Sequence, residues 1–263
     1  MPAVLLKIVL SFAIAGSWIA GATLLGERLG SKKAGLITNL PSNIVVSLLF
    51  MAMTAGPDYA ASSTRGVPVG MAIDTLFVLV FIAFVEKGLW RALAAALGVW
   101  ILAAWCAVML LPQPGLWTAI GLYALTALLC FAVAEWGLGI KPAARRPVAF
   151  SWKVVLVRAL FAGSVVAGAV SIAQVAPPYM TGVLATFPAV LTSTLVILTK
   201  SQGPGFARAT GKILILSSSN IIIYAAVAGL SFVPLGPWLG TLLAFAAALL
   251  YVALLGRLIA RIK

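Results

Sequence analysis

Charged side chains are scarce in this 263-residue chain, where they make up 9% of the residues against about a quarter in ordinary soluble domains. The five acidic residues are outnumbered by eighteen lysines and arginines, and histidine is absent. Imidazole is the usual base near neutral pH and the commonest metal ligand, so its absence removes most acid–base and metal chemistry. Because 63% of the residues are hydrophobic, too little polar surface remains to cover a water-soluble core. The composition predicts a membrane protein.

Cysteine is also rare, and the two present, Cys106 and Cys130, lack the spacing of a disulfide framework or a metal site. We interpret them as small packing residues, and the Gly66 and Gly70 pair as a point of close helix packing. The sequence has no glycine-rich phosphate loop and no ATPase domain. We therefore expect no cofactor and no metal, and any energy must come from a gradient or a partner protein.

Long apolar stretches dominate what is present. A helix needs about 20 mainly apolar residues to cross a bilayer, and nine stretches meet this length. They are roughly 3–25, 34–54, 67–86, 90–112, 115–138, 152–176, 180–199, 207–229 and 236–260. The sequence thus predicts an all-α polytopic protein with about nine transmembrane helices.

The basic residues test this number of spans, because lysine and arginine collect in cytoplasmic loops. With nine spans, fifteen of them fall on one side and only Lys7 and Arg65 on the other, while Arg158 lies within the sixth span. The fifteen are Arg28, Lys32, Lys33, Lys87, Arg91, Lys141, Arg145, Arg146, Lys153, Lys200, Arg208, Lys212, Arg257, Arg261 and Lys263. This predicts an inner (cell) membrane protein of bacterial or archaeal type, with its N-terminus outside and its C-terminus in the cytoplasm.

The net charge of +13 has the same explanation. It orients the chain and contacts anionic lipid at the cytoplasmic face. Nucleic acid is excluded as a partner, because its binding requires basic residues on a folded aqueous surface. The expected partners are the lipid bilayer and a small-molecule solute, with a homo-oligomer left open.

A weak internal repeat relates residues 4–112 to residues 155–260. The matched pairs are Lys7 with Arg158, Gly16 with Gly163, Pro41 with Pro188, Arg65 with Arg208, and Asp74 with Asn220. Four spans match four, and one span separates the two sets, so each copy crosses the membrane in the opposite sense to the other. We expect three parts: a first four-helix repeat (1–112), a linking helix with a basic cytoplasmic loop (113–150), and a second four-helix repeat (151–263).

The segment from Gly182 to Pro188, followed by Arg208 and a helix that reaches Tyr224, resembles the GlpM-type membrane proteins. The likeness covers mainly residues 155–229 and is fainter in 4–86, where Leu40 occupies the position of Phe187. The resemblance implies a polytopic inner-membrane protein and implies no particular chemistry.

Two prolines lie within predicted spans and are the first candidates for a site. Proline removes a backbone hydrogen bond, and broken backbone survives in lipid only where neighbours or a cavity satisfy it. Hydroxyl and amide side chains beside such breaks could bind a small polar solute. Besides Pro41 and Pro188 themselves, the predicted binding residues here are Asn39, Ser42, Asn43, Thr186, Thr192 and Ser193. The alternative is a plain kink whose polar side chains bond to the helices.

Three ionisable residues lie inside predicted spans. Asp74 is the candidate coupling group for a proton or sodium ion, because an intramembrane acid is costly unless it is functional or paired. Lys7 and Arg158 would suit an anionic solute, so an anion is slightly favoured. The alternatives are a structural ion pair with Asp74, a shallower aspartate, and basic side chains that extend to the headgroups.

Ser218 and Asn220 lie in the most polar run of any span and are predicted to line the same cavity as Asp74. The alternative is that they join neighbouring helices by hydrogen bonds.

These patterns predict a secondary transporter of a small solute that works by alternating access at the repeat interface. The alternatives are a non-transporting membrane subunit or chaperone, and a channel. An intramembrane lipid-modifying enzyme is least favoured, because one lone aspartate without histidine or a catalytic cysteine provides neither a base nor paired acids.

Overall fold

The structure, a computed structural model, describes residues 2–38, 41–110, 112–143 and 151–261. Side chains are described for residues 4–21, 24, 41–110, 112–143 and 151–254. The chain is 88% helical, and the ranges just given contain no strand, which confirms the predicted all-helical class. Asn39, one of the predicted binding residues, lies outside the described residues.

Eleven α-helices follow one another along the described ranges. They are α1 (Pro2–Thr38), α2 (Ser42–Ala55), α3 (Pro57–Ser63), α4 (Gly66–Phe84), α5 (Leu89–Met109), α6 (Leu116–Ala132), α7 (Trp152–Ile172), α8 (Pro178–Leu184), α9 (Ala189–Gln202), α10 (Pro204–Ser217) and α11 (Ser219–Arg261). A 3-10 turn (Val85–Lys87) extends α4, and a π turn (Val133–Gly137) extends α6. Helix α11 is interrupted at Gly236, which has non-helical dihedral angles.

Seven helical runs in the described part of the chain are long and apolar enough to cross a membrane, as expected of a polytopic membrane protein. They are Val4–Gly21, Pro57–Lys87, Leu89–Met109, Leu116–Gly137, Trp152–Ile172, Pro178–Gln202 and Pro204–Leu254. The last run has 51 residues and covers the predicted stretch 207–229 and most of 236–260. Stretch 34–54 contributes Ser42–Ala55, a shorter apolar helix. The number nine therefore stays a prediction.

The gap between the first two predicted stretches, near residues 26–33, is helical and not a loop. Helix α1 continues through this segment and ends at Thr38. The segment contains glutamate, arginine, leucine and lysines but no proline, so its charges do not interrupt the backbone hydrogen bonds. The helix stops only close to Pro41, where the ring removes a donor.

The breaks predicted at the two prolines are confirmed. Pro41 immediately precedes α2 and has φ −75° and ψ 45°, while Pro188 immediately precedes α9 and has φ −76° and ψ 48°. Each helix that follows has 14 residues. The two breaks are 147 residues apart in sequence and have the same backbone conformation.

The C-terminal ends of α2 and α9 also have the same backbone conformation. Each helix ends at a glycine with positive φ, Gly56 at 100° and Gly203 at 92°, and a proline starts the next helix. Only glycine adopts this conformation without strain, which explains the residue type at both positions. These glycines are again separated by 147 residues.

The contact between helices α1 and α7 also shows the interval of 147 residues. A Cβ atom on Gly163 would lie 2.7 Å from the Phe12 carbonyl oxygen, and one on Gly16 would lie 3.1 Å from that of Ala159. Phe12 and Ala159 are 147 residues apart, as are Gly16 and Gly163. Exchanging each residue for its counterpart turns one contact into the other, which is how a two-fold related pair of helices packs.

Helix α4 lies at the centre of the molecule. In the run Pro57–Lys87, 72% of the apolar window is buried, against 22% in Leu116–Gly137. Helices α5, α6, α8 and α10 all pack against α4. Phe77 and Phe81 of α4 are completely buried, whereas Leu125 and Leu128 of α6 are exposed as lipid-facing residues are.

Glycines let α8 approach the junction of α3 and α4. A Cβ atom on Gly182 would overlap the Ser63 carbonyl oxygen, and one on Gly66 would overlap that of Tyr179. One on Gly70 would overlap the Thr186 hydroxyl. The close packing predicted for Gly66 and Gly70 is therefore confirmed, and these contacts hold the broken helix α8–α9 against α4.

We predict that Gly182→Ala lowers the free energy of unfolding by about 1–3 kcal/mol, because the added methyl group forces the two backbones apart. Gly168→Ala on α7 is the matched control, since a Cβ atom there has no heavy atom within 4 Å. Detergent-solubilised protein titrated with SDS and followed by circular dichroism measures both. Equal stability of the two variants would contradict the close contact.

Candidate functional site

Asp74 lies near the middle of the central helical run. It comes 17 residues after Pro57 and 13 before Lys87, the two ends of that run. Its side chain is 4% exposed. The alternative of an aspartate near the end of its helix is therefore not met. An acid in the middle of an apolar helix is costly unless it has a partner or a function.

The partner of Asp74 is an indole on α5. The Trp100 Nε1–H donates to Asp74 Oδ1 at 2.7 Å. Trp100 is itself buried, and its ring meets that of Phe187 edge to face with 5.0 Å between centroids. Phe187 directly precedes Pro188. Trp100 therefore connects Asp74 to the helix break before α9, because it contacts both Asp74 and Phe187.

A crevice opens from Asp74 toward α9 and α10. Its walls are Met71, Asp74, Thr75, Val78, Leu191, Leu214, Ile215 and Ser218. The walls pack too closely to admit a water molecule. Ser218 lies between α10 and α11, so the predicted span that contains the polar run is broken at a residue that lines the crevice with Asp74. In this conformation the site is closed.

Two buried or half-buried tyrosines lie on the helices around the central one. Helix α6 packs against α4, and the buried Tyr123 hydroxyl of α6 has no hydrogen-bond partner among the described groups. The Tyr251 hydroxyl is 2.8 Å from that of Ser219. Buried polar groups are normally paired, so the unpaired Tyr123 hydroxyl marks a polar spot inside the bundle.

Of the predicted residues in the second half, Ser218 lines the crevice with Asp74. Its hydroxyl donates to the Leu214 carbonyl at 2.8 Å. Thr186 and Ser193 also donate to carbonyls of their own segments, and Thr192 is buried with no partner for its hydroxyl among the described groups. The break at Pro188 therefore supplies Leu191 to the crevice wall rather than the hydroxyls predicted there.

The predicted residues around the first break do not line the crevice. Pro41 and Ser42 are buried at the start of α2, and the buried Asn43 Oδ1 has no partner in the described part of the protein. Helix α2 packs against α11, the helix that contains Asn220. Asn220 is buried and does not line the crevice. In this closed conformation the two proline breaks, Asp74 and the polar run with Ser218 and Asn220 therefore do not line one cavity together.

The two predicted cations lie away from Asp74. The Lys7 ammonium donates to the Met53 carbonyl at 2.5 Å, near the end of α2, and Arg158 Nη2 donates to the Thr194 hydroxyl at 3.0 Å on α9. Neither cation lines the crevice, so neither the ion pair with Asp74 nor a cationic cavity is observed in the described residues. They are also not counterparts, because 151 residues separate them rather than 147.

Two ion pairs tie α10 to its neighbours at the end of the molecule with most basic residues. Arg208 pairs with Glu86, and the Lys212 ammonium lies 2.7 Å from Glu135 Oε2. Lys212 is 7% exposed and also donates to the Ile140 carbonyl at 2.5 Å. These pairs hold α10 against the ends of α4 and α6.

At the opposite end, neutral groups hold the helices together. The Tyr59 hydroxyl of α3 donates to the Ala176 carbonyl at 2.7 Å and also lies 2.7 Å from the Thr181 hydroxyl. The crevice is therefore closed between an ionic contact at one end and a neutral contact at the other.

Sequence reasoning missed Trp100, Tyr123, Lys212 and Glu135. One signal was available for Trp100: it lies in the middle of an apolar stretch, whereas most tryptophans of this chain lie near predicted helix ends. A buried indole N–H requires an acceptor, and an intramembrane aspartate is a suitable one.

Comparison with known proteins gives one match. The sequence family described as "Protein of unknown function (DUF3147)" matches residues 8–111, less than half of the chain. This segment lies within the predicted first repeat and ends before α6. No curated protein and no solved structure matches the chain. The resemblance to GlpM-type proteins stays a prediction.

We predict that Trp100→Phe lowers the free energy of unfolding by about 1–3 kcal/mol, because Asp74 then loses a buried hydrogen bond while an aromatic ring remains against Phe187. Trp105→Phe is the control on the same helix, since Trp105 is 53% exposed, and should stay within about 0.5 kcal/mol of the wild type. SDS titration measures both. A loss of the same size in the two variants would show that the hydrogen bond is unimportant.

Proposed function

We propose that the protein is a secondary transporter of a small solute that works by alternating access between two inverted four-helix units. The first unit contains α1 to α5 and the second contains α7 to α11, and α6 links them. The constant interval of 147 residues supports this division, since it relates the proline breaks, the glycine turns and the contact between α1 and α7. The family match to residues 8–111 covers nearly all of the first unit and none of the second.

Inverted units have a physical consequence for transport. When each half can adopt the conformation of the other, the molecule has two states of similar energy that open to opposite faces. Such a mechanism needs helices that can bend at defined points. The breaks at Pro41, Pro188 and Ser218 provide them, because a helix without continuous hydrogen bonds bends at low cost.

The single observation that carries the proposal is the burial of Asp74 in the central helix at a crevice between broken helices. A structural acid would be expected to have a permanent cationic partner, and both described ion pairs involve other residues. An acid with a neutral donor, Trp100, can instead exchange a proton as the crevice opens to one face and then the other. Asp74 is therefore the coupling group.

The closed packing favours a second candidate, a membrane subunit that does not transport. No water molecule fits between Asp74 and Ser218, as would be the case in a permanently packed bundle. In that case Asp74 and Trp100 would serve only helix association. A channel is less favoured, because the central helix is closely packed along its length.

The expected location is the inner (cell) membrane of a bacterium or archaeon, with anionic lipid at the basic face. The N-terminus lies outside and the C-terminus in the cytoplasm, because lysine and arginine remain on the cytoplasmic side. The preference for an anionic solute depended on Lys7 and Arg158, and neither of them lines the crevice.

We predict that proteoliposomes with a pH dye inside show a proton flux when one class of solute is added, and that Asp74→Asn abolishes this flux. The panel consists of inorganic and organic anions, ammonium compounds and sugars. Asp58→Asn is the matched control, since Asp58 is exposed in the first turn of α3 and its substitution should leave the flux unchanged. A flux that survives in Asp74→Asn, or is absent for every solute in the wild type, would leave the subunit as the better candidate.

The proposed orientation has its own test. In a variant without Cys106 and Cys130, we predict that Asp58→Cys reacts with a membrane-impermeant maleimide in intact cells, whereas Lys141→Cys reacts only after permeabilisation. Both residues are exposed, so the difference reports the side of the membrane. Labelling of both residues from the same side would contradict the orientation and the odd number of crossings between them.

A further inference from the structure

The crevice is lined by one acidic side chain and by no basic one. Asp74 is the one ionisable residue among its eight lining residues. Lys7 and Arg158 donate instead to Met53 and Thr194, so an anion in the crevice would find no lining cation. Once Asp74 has released its proton, its carboxylate repels an anion strongly in this apolar interior. The site therefore fits a positively charged ligand.

The lining also indicates what kind of cation fits. Five of the eight side chains are apolar, namely Met71, Val78, Leu191, Leu214 and Ile215. The two hydroxyls, of Thr75 and Ser218, already donate to carbonyls of their own helices. A bare metal ion requires about six oxygen ligands, and the described residues contain no cluster of three or more acidic, cysteine or histidine side chains. Apolar walls around one carboxylate suit an organic cation.

One aromatic side chain strengthens this assignment. The Trp100 indole donates to the Asp74 carboxylate itself, so its ring lies beside the crevice's one ionisable group. Aromatic rings attract cations through their quadrupole, most strongly where water is excluded, and they recognise quaternary ammonium groups in this way. A cation bound at Asp74 would thus have a carboxylate and a neighbouring indole close to it.

We propose that the crevice at Asp74 binds a lipophilic organic cation in exchange for the proton of Asp74. This rests on the proposed transport function and names its substrate class. A single carboxyl neutralises one positive charge, so the proton and the cation bind alternately and never together. One proton leaves for each cation that enters, which makes the carrier an antiporter.

Binding requires the crevice to open, because its walls leave no space for water in the closed conformation. Helix α10 supplies Leu214, Ile215 and Ser218 to one wall and is held at its basic end by Lys212 and Arg208. Movement of α10 away from α4 would widen the crevice beside Asp74 without disturbing the bond to Trp100.

The test uses the full-length protein in detergent with a weak buffer and a pH dye. We expect tetraphenylphosphonium to release about one proton per chain, with an apparent affinity that falls about tenfold for each pH unit below the range where Asp74 ionises. Asp74→Asn should lose the proton release, and Asp58→Asn should keep it. Sodium and benzoate, tested at the same concentrations, should release none.

The outcomes separate the two proposals. If benzoate, phosphate or sodium drives a proton flux that depends on Asp74 and tetraphenylphosphonium does not, the carrier stands and the organic cation is wrong. If no solute moves protons and Asp74→Asn matches the wild type in every assay, the proposed transport function and the proposed organic-cation substrate are both wrong. If tetraphenylphosphonium binds equally well to Asp74→Asn without proton release, the exchange at Asp74 is wrong.

Discussion

The constraint on which this structure depends is the absence of water in the hydrocarbon core. A helix that breaks there leaves backbone groups that only protein can satisfy, since each unpaired group costs several kcal/mol. The chain breaks its helices at Pro41, at Thr64, at Pro188 and at Ser218. The breaks at Thr64, Pro188 and Ser218 involve helices that pack against the central helix α4, and glycines such as Gly182 allow the backbones to meet. The break at Pro41 precedes α2, which packs instead against α1, α3, α7 and α11.

Features that depend on local backbone chemistry were predictable from the sequence. Pro41 and Pro188 interrupt helices because proline lacks a donor, whatever surrounds it. The burial of Asp74 followed from its position in a long apolar stretch. The interval of 147 residues was also detectable in the sequence at Pro41 and Pro188, whereas the pair of Lys7 and Arg158 departs from this interval by four residues, about one helical turn. Lys7 and Arg158 share a positive charge, but they do not occupy equivalent backbone positions.

Contacts between distant helices were not predictable. Trp100 is 26 residues from Asp74, and Lys212 is 77 residues from Glu135, so no spacing rule connects them. Which face of an apolar helix meets which neighbour depends on small differences in packing, and Leu191 resembles any lipid-facing leucine in sequence. The interruption between stretches 3–25 and 34–54 is wrong for another reason, because charged residues interrupt an apolar run without interrupting the helix.

The two ends of the molecule are fastened by different kinds of bond, and this has a consequence for its energetics. The fastening at Arg208 and Lys212 is ionic and partly open to solvent, whereas that at Tyr59 is neutral. Dissolved ions weaken the former and leave the latter almost unchanged. The two ends of the molecule thus differ in their sensitivity to ionic strength, so opening at one face would respond to salt while opening at the other would not.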